Sequence, residues 1–173
     1  MPPDTTPPAP AAPRYPLAIV GARLDDAFDE RRDHLDEDSP AWLCVIDIDH
    51  FKMINDRHGH KVGDLVLKML AEVCQSALRD IDILARIGGE EFAVLLPETG
   101  GSVAVEVARR LQDSINEANL MLEGQLAIKI QVSIGVASMT SPHDNMDILL
   151  HRADTALYEA KNTGRNRICV APN

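Results

Sequence analysis

Two acids, Glu90 and Glu91, follow directly on the glycine pair Gly88-Gly89, and two more, Asp47 and Asp49, stand at alternate positions near the end of an apolar run at 42–49. A glycine pair lets the backbone turn tightly and lets another molecule approach it closely. A turn that presents two carboxylates in such a place suits a divalent cation held against a phosphate. Hard cations such as Mg²⁺ take oxygen donors, usually one or two carboxylates together with substrate phosphates. On a strand, positions 47 and 49 point to the same face. Asp47 from one strand and Glu90 from the glycine turn would together supply the grip. Each motif alone also reads as a solvated turn or a capped strand end, and their joint presence weighs against that plainer reading.

These acids need elements to carry them. Residues 83–87 and 91–96 form two strand-like runs around the glycine pair and read as a β-hairpin. The run at 42–48 is a further strand. Residues 51–57 suggest a short helix, His58-Gly59-His60 a turn, and Asp64 a cap for the next helix, where Val66, Met69, Leu70, Val73 and Ala77 recur at helical spacing. A helix from Ser102 carries Val103, Val107, Leu111 and Ile115 on one face. Residues 126–138 read as one strand, with Ile128, Ile130 and Val132 alternating with Lys129 and Gln131. A helix over 145–161 has Leu149, Ala153, Ala156, Leu157 and Ala160 as its stripe, and 167–171 closes as a strand. Upstream, residues 21–35 make a plausible amphipathic helix, with Leu24, Ala27, Phe28 and Leu35 among charges. Residues 1–16, rich in Pro, Ala and Thr, read as a disordered segment or linker. This mixture predicts an α+β fold, an α/β sandwich with one central mixed sheet, over residues 17–173.

Composition narrows the function. The 173 residues suit one domain with a proper core. A net charge of −10 argues against DNA or RNA as partners, because phosphate neutralisation needs a basic surface. Aromatic residues are only 3%, too few for a platform that stacks single strands. No run approaches the ~18 apolar residues of a membrane span, and the proline-rich start is not a secretory signal, so the expected location is the cytoplasm. Cys44, Cys74 and Cys169 lie in apolar runs without a zinc spacing and read as buried thiols of a reducing compartment. His58 and His60 have no further cluster to make a zinc site.

The stretch Ile46-Asp47-Ile48-Asp49-His50-Phe51-Lys52-Met53-Ile54-Asn55-Asp56, then His58-Gly59-His60-Lys61-Val62-Gly63-Asp64, then Gly88-Gly89-Glu90-Glu91-Phe92, resembles a GGDEF domain, in its GGEEF variant. That is the diguanylate cyclase family, which makes cyclic di-GMP from two GTP. The resemblance runs from about Leu43 to about Ile168. It implies a five-stranded sheet packed by helices, akin to the palm of nucleotide cyclases and polymerases.

The resemblance also implies roles. The reaction is attack of a ribose 3′-hydroxyl on the α-phosphate of a second GTP, with pyrophosphate leaving, and it needs mostly positioning and charge neutralisation. Asp47, the Ile48 backbone carbonyl and Glu90 match the metal-binding positions, for Mg²⁺ or Mn²⁺, and Glu91 matches the acid set against the reacting centre. Asn55 and Asp64 match the guanine-reading positions. Lys161 and Arg165 match the phosphate-holding pair, Lys52 is a further cation near the acids, and the backbone around Phe51 is a phosphate contact. Arg79 and Asp82 match the inhibitory RxxD site that binds the product, and Arg110 matches a third contact there. Lys161 and Gly164 also read as ordinary features of a helix C-terminus, and the two roles are compatible.

One segment departs from the pattern. The family opens with a segment like Asp-x-Leu-Thr-x-Leu-x-Asn-Arg; here Leu17 and Arg23 fit, whereas Tyr15, Ala18 and Ala22 do not. One such domain resembles half of an enzyme, because each holds one GTP and two must face each other. The expectation is therefore a Mg²⁺-dependent cyclase acting as a weak homodimer, with product inhibition. The alternative is a catalytically inactive receptor for cyclic di-GMP, and a third reading is an interaction module with vestigial nucleotide binding.

Overall fold

Strand β1 (Ala41–Ile48) is the centre of the molecule because it is buried along its whole length. The computed structural model describes residues 21–34 and 39–172. Around β1 stand α1 (Gly21–His34), α2 (Phe51–His58), α3 (His60–Ala77), β2 (Ile83–Arg86), β3 (Glu91–Pro97), α4 (Gly101–Glu117), β4 (Leu120–Met121), β5 (Ala127–Ile128), β6 (Val132–Ser138), α5 (Met146–Asn162) and β7 (Ile168–Val170). The main sheet has the order β2-β3-β1-β6-β7. All its pairings are antiparallel except β6 with β7. The expected five-stranded mixed sheet is thus present.

Helices cover both faces, which is why β1 reads as a nearly continuous apolar run rather than an alternating one. Trp42, Cys44, Ile46 and Ile48 enter one core with residues of α3 and α4. Leu43 and Val45 enter the other with α1 and α5. Fully burying a side chain such as Ile46 or Leu43 is worth ~1.5–3 kcal/mol. The same two-residue alternation decides the chemistry: Asp47 continues the Leu43–Val45 face and so meets α5. Helix α5 comes close because Gly135 on β6 has no side chain, and a β-carbon there would overlap the Ala153 carbonyl and the Leu157 backbone.

Four expectations need correction. The run at 126–138 is not one strand: β5 pairs with β4 in a separate ribbon, and β6 starts at Val132. Ile128, Ile130 and Val132 are still buried in a row, because alternation reports which face is buried and not which strand is the partner. Asp64 does not cap a helix, since α3 already begins at His60. The turn at 58–60 shrinks to Gly59, whose φ of 86° separates α2 from α3. Cys44 and Cys74 are buried, with thiols pushed up to about 12 by burial, but Cys169 is only partly covered. The segment 1–16, the boundary at 17 and the divergent stretch through Ala18 lie outside the described residues.

Candidate active site

The acids of the two motifs meet at one end of the sheet. Asp47 and Glu91 are directly opposite in the β1–β3 ladder. One step beyond, the Ile48 N–H donates to the Glu90 carbonyl at 3.4 Å. The glycine turn closes on itself, with the Ile87 and Gly88 N–H groups both donating to the Glu91 carbonyl at 2.9 and 3.3 Å. Arg86 ties the turn from outside: its Nη2 donates to the Gly89 carbonyl at 2.8 Å, and its Nε donates to the carbonyls of Gly88 and Gly89. Sequence reasoning missed this role of Arg86, which only the folded turn reveals.

Charge is concentrated here. Asp47 is buried, and its carboxyl is pushed above the usual range by desolvation first, with Glu90 and Asp49 adding to the effect while Lys161 opposes it. The Lys161 Nζ lies 2.9 Å from Asp47 Oδ2. Glu91 is raised too, by desolvation first and then by Asp47 and Asp154. Buried carboxylates held close together gain from a positive charge. That donor set fits a hard divalent cation. Among the described residues, no three acidic, His or Cys side chains converge as a ready-made cage. A cation here would take few protein ligands and fill its shell from the substrate, as Mg²⁺ commonly does.

The expected nucleotide contacts divide into those brought together and those held elsewhere. Asn55 on α2 rests against Gly63 on α3, the chain neighbour of Asp64, across the Gly59 break. The Asn55 Oδ1 is buried without a hydrogen-bond partner among the described residues, pressed against Gly63. Asp64 is exposed. Phe51 puts its ring into the core, so only its backbone is available for phosphate. Lys52 points to solvent and pairs with Asp56 at 2.6 Å, a contact of little energetic weight at such exposure. Arg165 sits just past α5 in a left-handed turn: φ is 61° at Arg165 and 45° at Asn166.

The RxxD pair is preassembled. Arg79 Nη2 lies 2.8 Å from Asp82 Oδ1, and the Arg79 N–H donates to Asp82 Oδ2 at 2.8 Å. The same Nη2 donates to Thr99 Oγ1 at 2.7 Å and to the Pro97 carbonyl at 3.2 Å. Arg110 Nη2 donates to the Ala77 carbonyl at the nearby end of α3, at 2.8 Å. This group lies before β2, whose four residues separate it from the glycine turn by about 13 Å.

Comparison with known proteins follows the same outline. A family model described as "Diguanylate cyclase, GGDEF domain" matches residues 22–167. The chain belongs to the GGDEF family. Diguanylate cyclase A of Treponema denticola is 44% identical over 131 residues, 76% of this chain and 35% of that protein. Probable diguanylate cyclase DgcC of Escherichia coli K12 is 39% identical over 148 residues, 86% of this chain and 38% of that protein. The chain therefore spans little more than a third of these curated relatives. Among solved structures, the active GGEEF domain of a diguanylate cyclase from Vibrio cholerae matches with a TM-score of 0.78 at 33% identity, covering 91% of this chain and 99% of that one. The GGDEF domain of DgcB from Caulobacter crescentus, in complex with c-di-GMP, matches with a TM-score of 0.76 at 33% identity, over 86% of each chain.

In this GGDEF domain Asp49, just past the end of β1, has a task that sequence reasoning left open. It is buried, accepts from Ser133 Oγ at 2.7 Å, and accepts from the Asn166 N–H at 2.9 Å. Asp49 therefore ties the turn that carries Arg165 to the end of β1. The position 47 carboxylate faces the site while its neighbour at 49 builds the wall beside it.

Proposed function

We propose that this GGDEF domain is a diguanylate cyclase that joins two GTP into cyclic di-GMP with release of two pyrophosphates. The observation that supports this most directly is the juxtaposition of Asp47, Glu90 and Glu91 across the β1–β3 ladder, with Lys161 against Asp47. Asp47, the Ile48 carbonyl and Glu90 would hold Mg²⁺, or Mn²⁺ in its place. When bound, the metal neutralises charge on the phosphates and on the attacking oxygen. Glu91 lies beside the reacting centre, its carboxyl held above the usual range by desolvation first and then by Asp47 and Asp154. Lys161 and Arg165 meet the phosphates from the end of α5, and Asn55 and Asp64 take the guanine edge.

One domain supplies one GTP site, so catalysis needs two domains facing each other, and we read the chain as a weak homodimer in action. Cyclic di-GMP made in this way returns to Arg79, Asp82 and Arg110 as an inhibitor. Arginine clamps phosphate and stacks on bases, and aspartate accepts from a guanine edge. The cytoplasm is where the substrate is found, and among the described residues no helix is long and apolar enough to cross a membrane.

The test is incubation with GTP and Mg²⁺ followed by nucleotide chromatography. Cyclic di-GMP is expected from the wild-type chain and none from Glu90→Ala/Glu91→Ala. Binding of added cyclic di-GMP without turnover would replace the enzyme with a receptor built on the Arg79–Asp82 pair. Absence of both would leave an interaction module.

A further inference from the structure

Two unfavourable features coincide on the first turn of α3. Gly63 sits inside a helix, where glycine costs ~1 kcal/mol relative to alanine. Its φ is not in the left-handed region, so the backbone makes no demand for glycine. Against it lies the Asn55 Oδ1, buried and without a hydrogen-bond partner among the described residues. An unpaired buried acceptor costs ~1–3 kcal/mol. Space explains the pairing. A β-carbon at Gly63 would overlap Asn55 Oδ1, approach Asn55 Cγ to 3.0 Å, and come within 3.2 Å of the Phe51 ring. Phe51 is in the core and cannot yield far, so the asparagine side chain would have to leave.

We propose that Gly63 is a specificity-determining position: the missing side chain is the seat that holds the Asn55 carboxamide next to Asp64, so that both present their polar atoms to one purine edge. The inference rests on the reading of Asn55 and Asp64 as guanine contacts. With the carbonyl oxygen turned against Gly63, the planar carboxamide directs its NH₂ group away from that wall. A donor from Asn55 beside an acceptor from Asp64 matches guanine, which offers ring and amino N–H donors next to acceptors. Adenine lacks the N1–H donor that Asp64 requires. A side chain at 63 would disperse this pair without touching the nucleotide.

Helix propensity and ligand recognition predict opposite signs for Gly63→Ala, and this separates the proposal from a packing role. KM for GTP, discrimination against ATP and thermal midpoint are measured for wild type, Gly63→Ala, Asn55→Ala and the double variant. Gly63→Ala should raise KM about five- to tenfold, the loss of one hydrogen bond, narrow the GTP/ATP ratio, and leave the midpoint no lower than wild type. The double variant should have the KM of Asn55→Ala alone, because once the carboxamide is gone the alanine fits and the helix folds freely. A wild-type KM in Gly63→Ala, beside a raised KM in Asn55→Ala, overturns this proposal and leaves the cyclase reading intact. So does a double variant whose defects multiply, or a Gly63→Ala defect accompanied by a lowered midpoint in both backgrounds. An unchanged KM in Asn55→Ala, with product formed, overturns the guanine assignment and this proposal together. A wild-type chain that forms no product overturns the cyclase reading as well.

Discussion

Lys161 near the end of α5 places its ammonium 2.9 Å from the carboxylate of Asp47 on the central strand. The contact compensates a carboxylate that burial would otherwise leave exposed to its like-charged neighbours Glu90 and Asp49. Compensation is partial, because the net direction of the Asp47 shift is still upward. In the folded chain Asp47 therefore binds its proton more tightly than in the unfolded chain. Its effect on stability is nil well below the ordinary value of 3.8 and becomes unfavourable as pH rises above it. Asp47→Asn should accordingly melt higher than wild type at pH 7 without metal or nucleotide. The advantage should vanish toward pH 3, and product formation should be lost. A lower midpoint at pH 7 would contradict this account of the site.

Divalent cation should stabilise the fold through the same group. Titrating Mg²⁺ into the wild-type chain with GTP present should raise the melting midpoint by mass action, by an amount equivalent to ~2.7 kcal/mol at a hundredfold excess over Kd. Asp47→Asn and Glu90→Gln should lose most of that rise. Equal rises in all three chains would place the cation elsewhere.

Arg79→Ala should relieve inhibition by cyclic di-GMP while leaving the initial rate largely intact, and it carries a second consequence. The Asp82 side chain is fully covered, and Arg79 is its ionic partner. Removing the guanidinium leaves a buried carboxylate short of its charge-assisted bonds, so the midpoint should also fall, consistent with ~1–3 kcal/mol. Rate-versus-product curves at a temperature well below the melt separate the two effects. Inhibition that persists in the folded variant would remove Arg79 from the product site.

Asp49 and Arg165 should behave as one unit. Asp49→Ala frees the Asn166 N–H and Ser133 hydroxyl, loosening the turn that presents Arg165. Asp49→Ala and Arg165→Ala should each raise KM for GTP, and the double variant should be little worse than either. Asp49→Asn keeps an acceptor for Asn166 and should recover most of the loss. Multiplying defects in the double variant would show that Asp49 acts on something other than Arg165.

If two copies must face each other, specific activity should fall as the enzyme is diluted. Initial rates per milligram across a wide concentration range measure this directly. A flat profile would mean that assembly is complete at every dilution or that one copy suffices.

Much of this protein is local information. The glycine turn, the two acids that follow it, the stripe of α5 and the continuous apolar run of β1 are properties of short segments, and short segments report what is buried. That was enough to place Asp47 on a strand and Glu90 in the glycine turn of a hairpin, and to anticipate a mixed sheet surrounded by helices. Packing between distant segments decided the rest. Periodicity could not tell that the extended chain at 127–138 changes partners after Ile128, because Ile128, Ile130 and Val132 keep one buried alternation straight through the break. Nor could any local pattern show that Lys161 reaches Asp47, that Asp49 anchors Asn166, or that Asn55 rests against Gly63. Each of these contacts joins segments whose relative position is set only when the helices close on the sheet. Residue type and spacing determined which groups are available for chemistry, and tertiary packing determined which of them meet, because electrostatic and steric contact depends on distance through space.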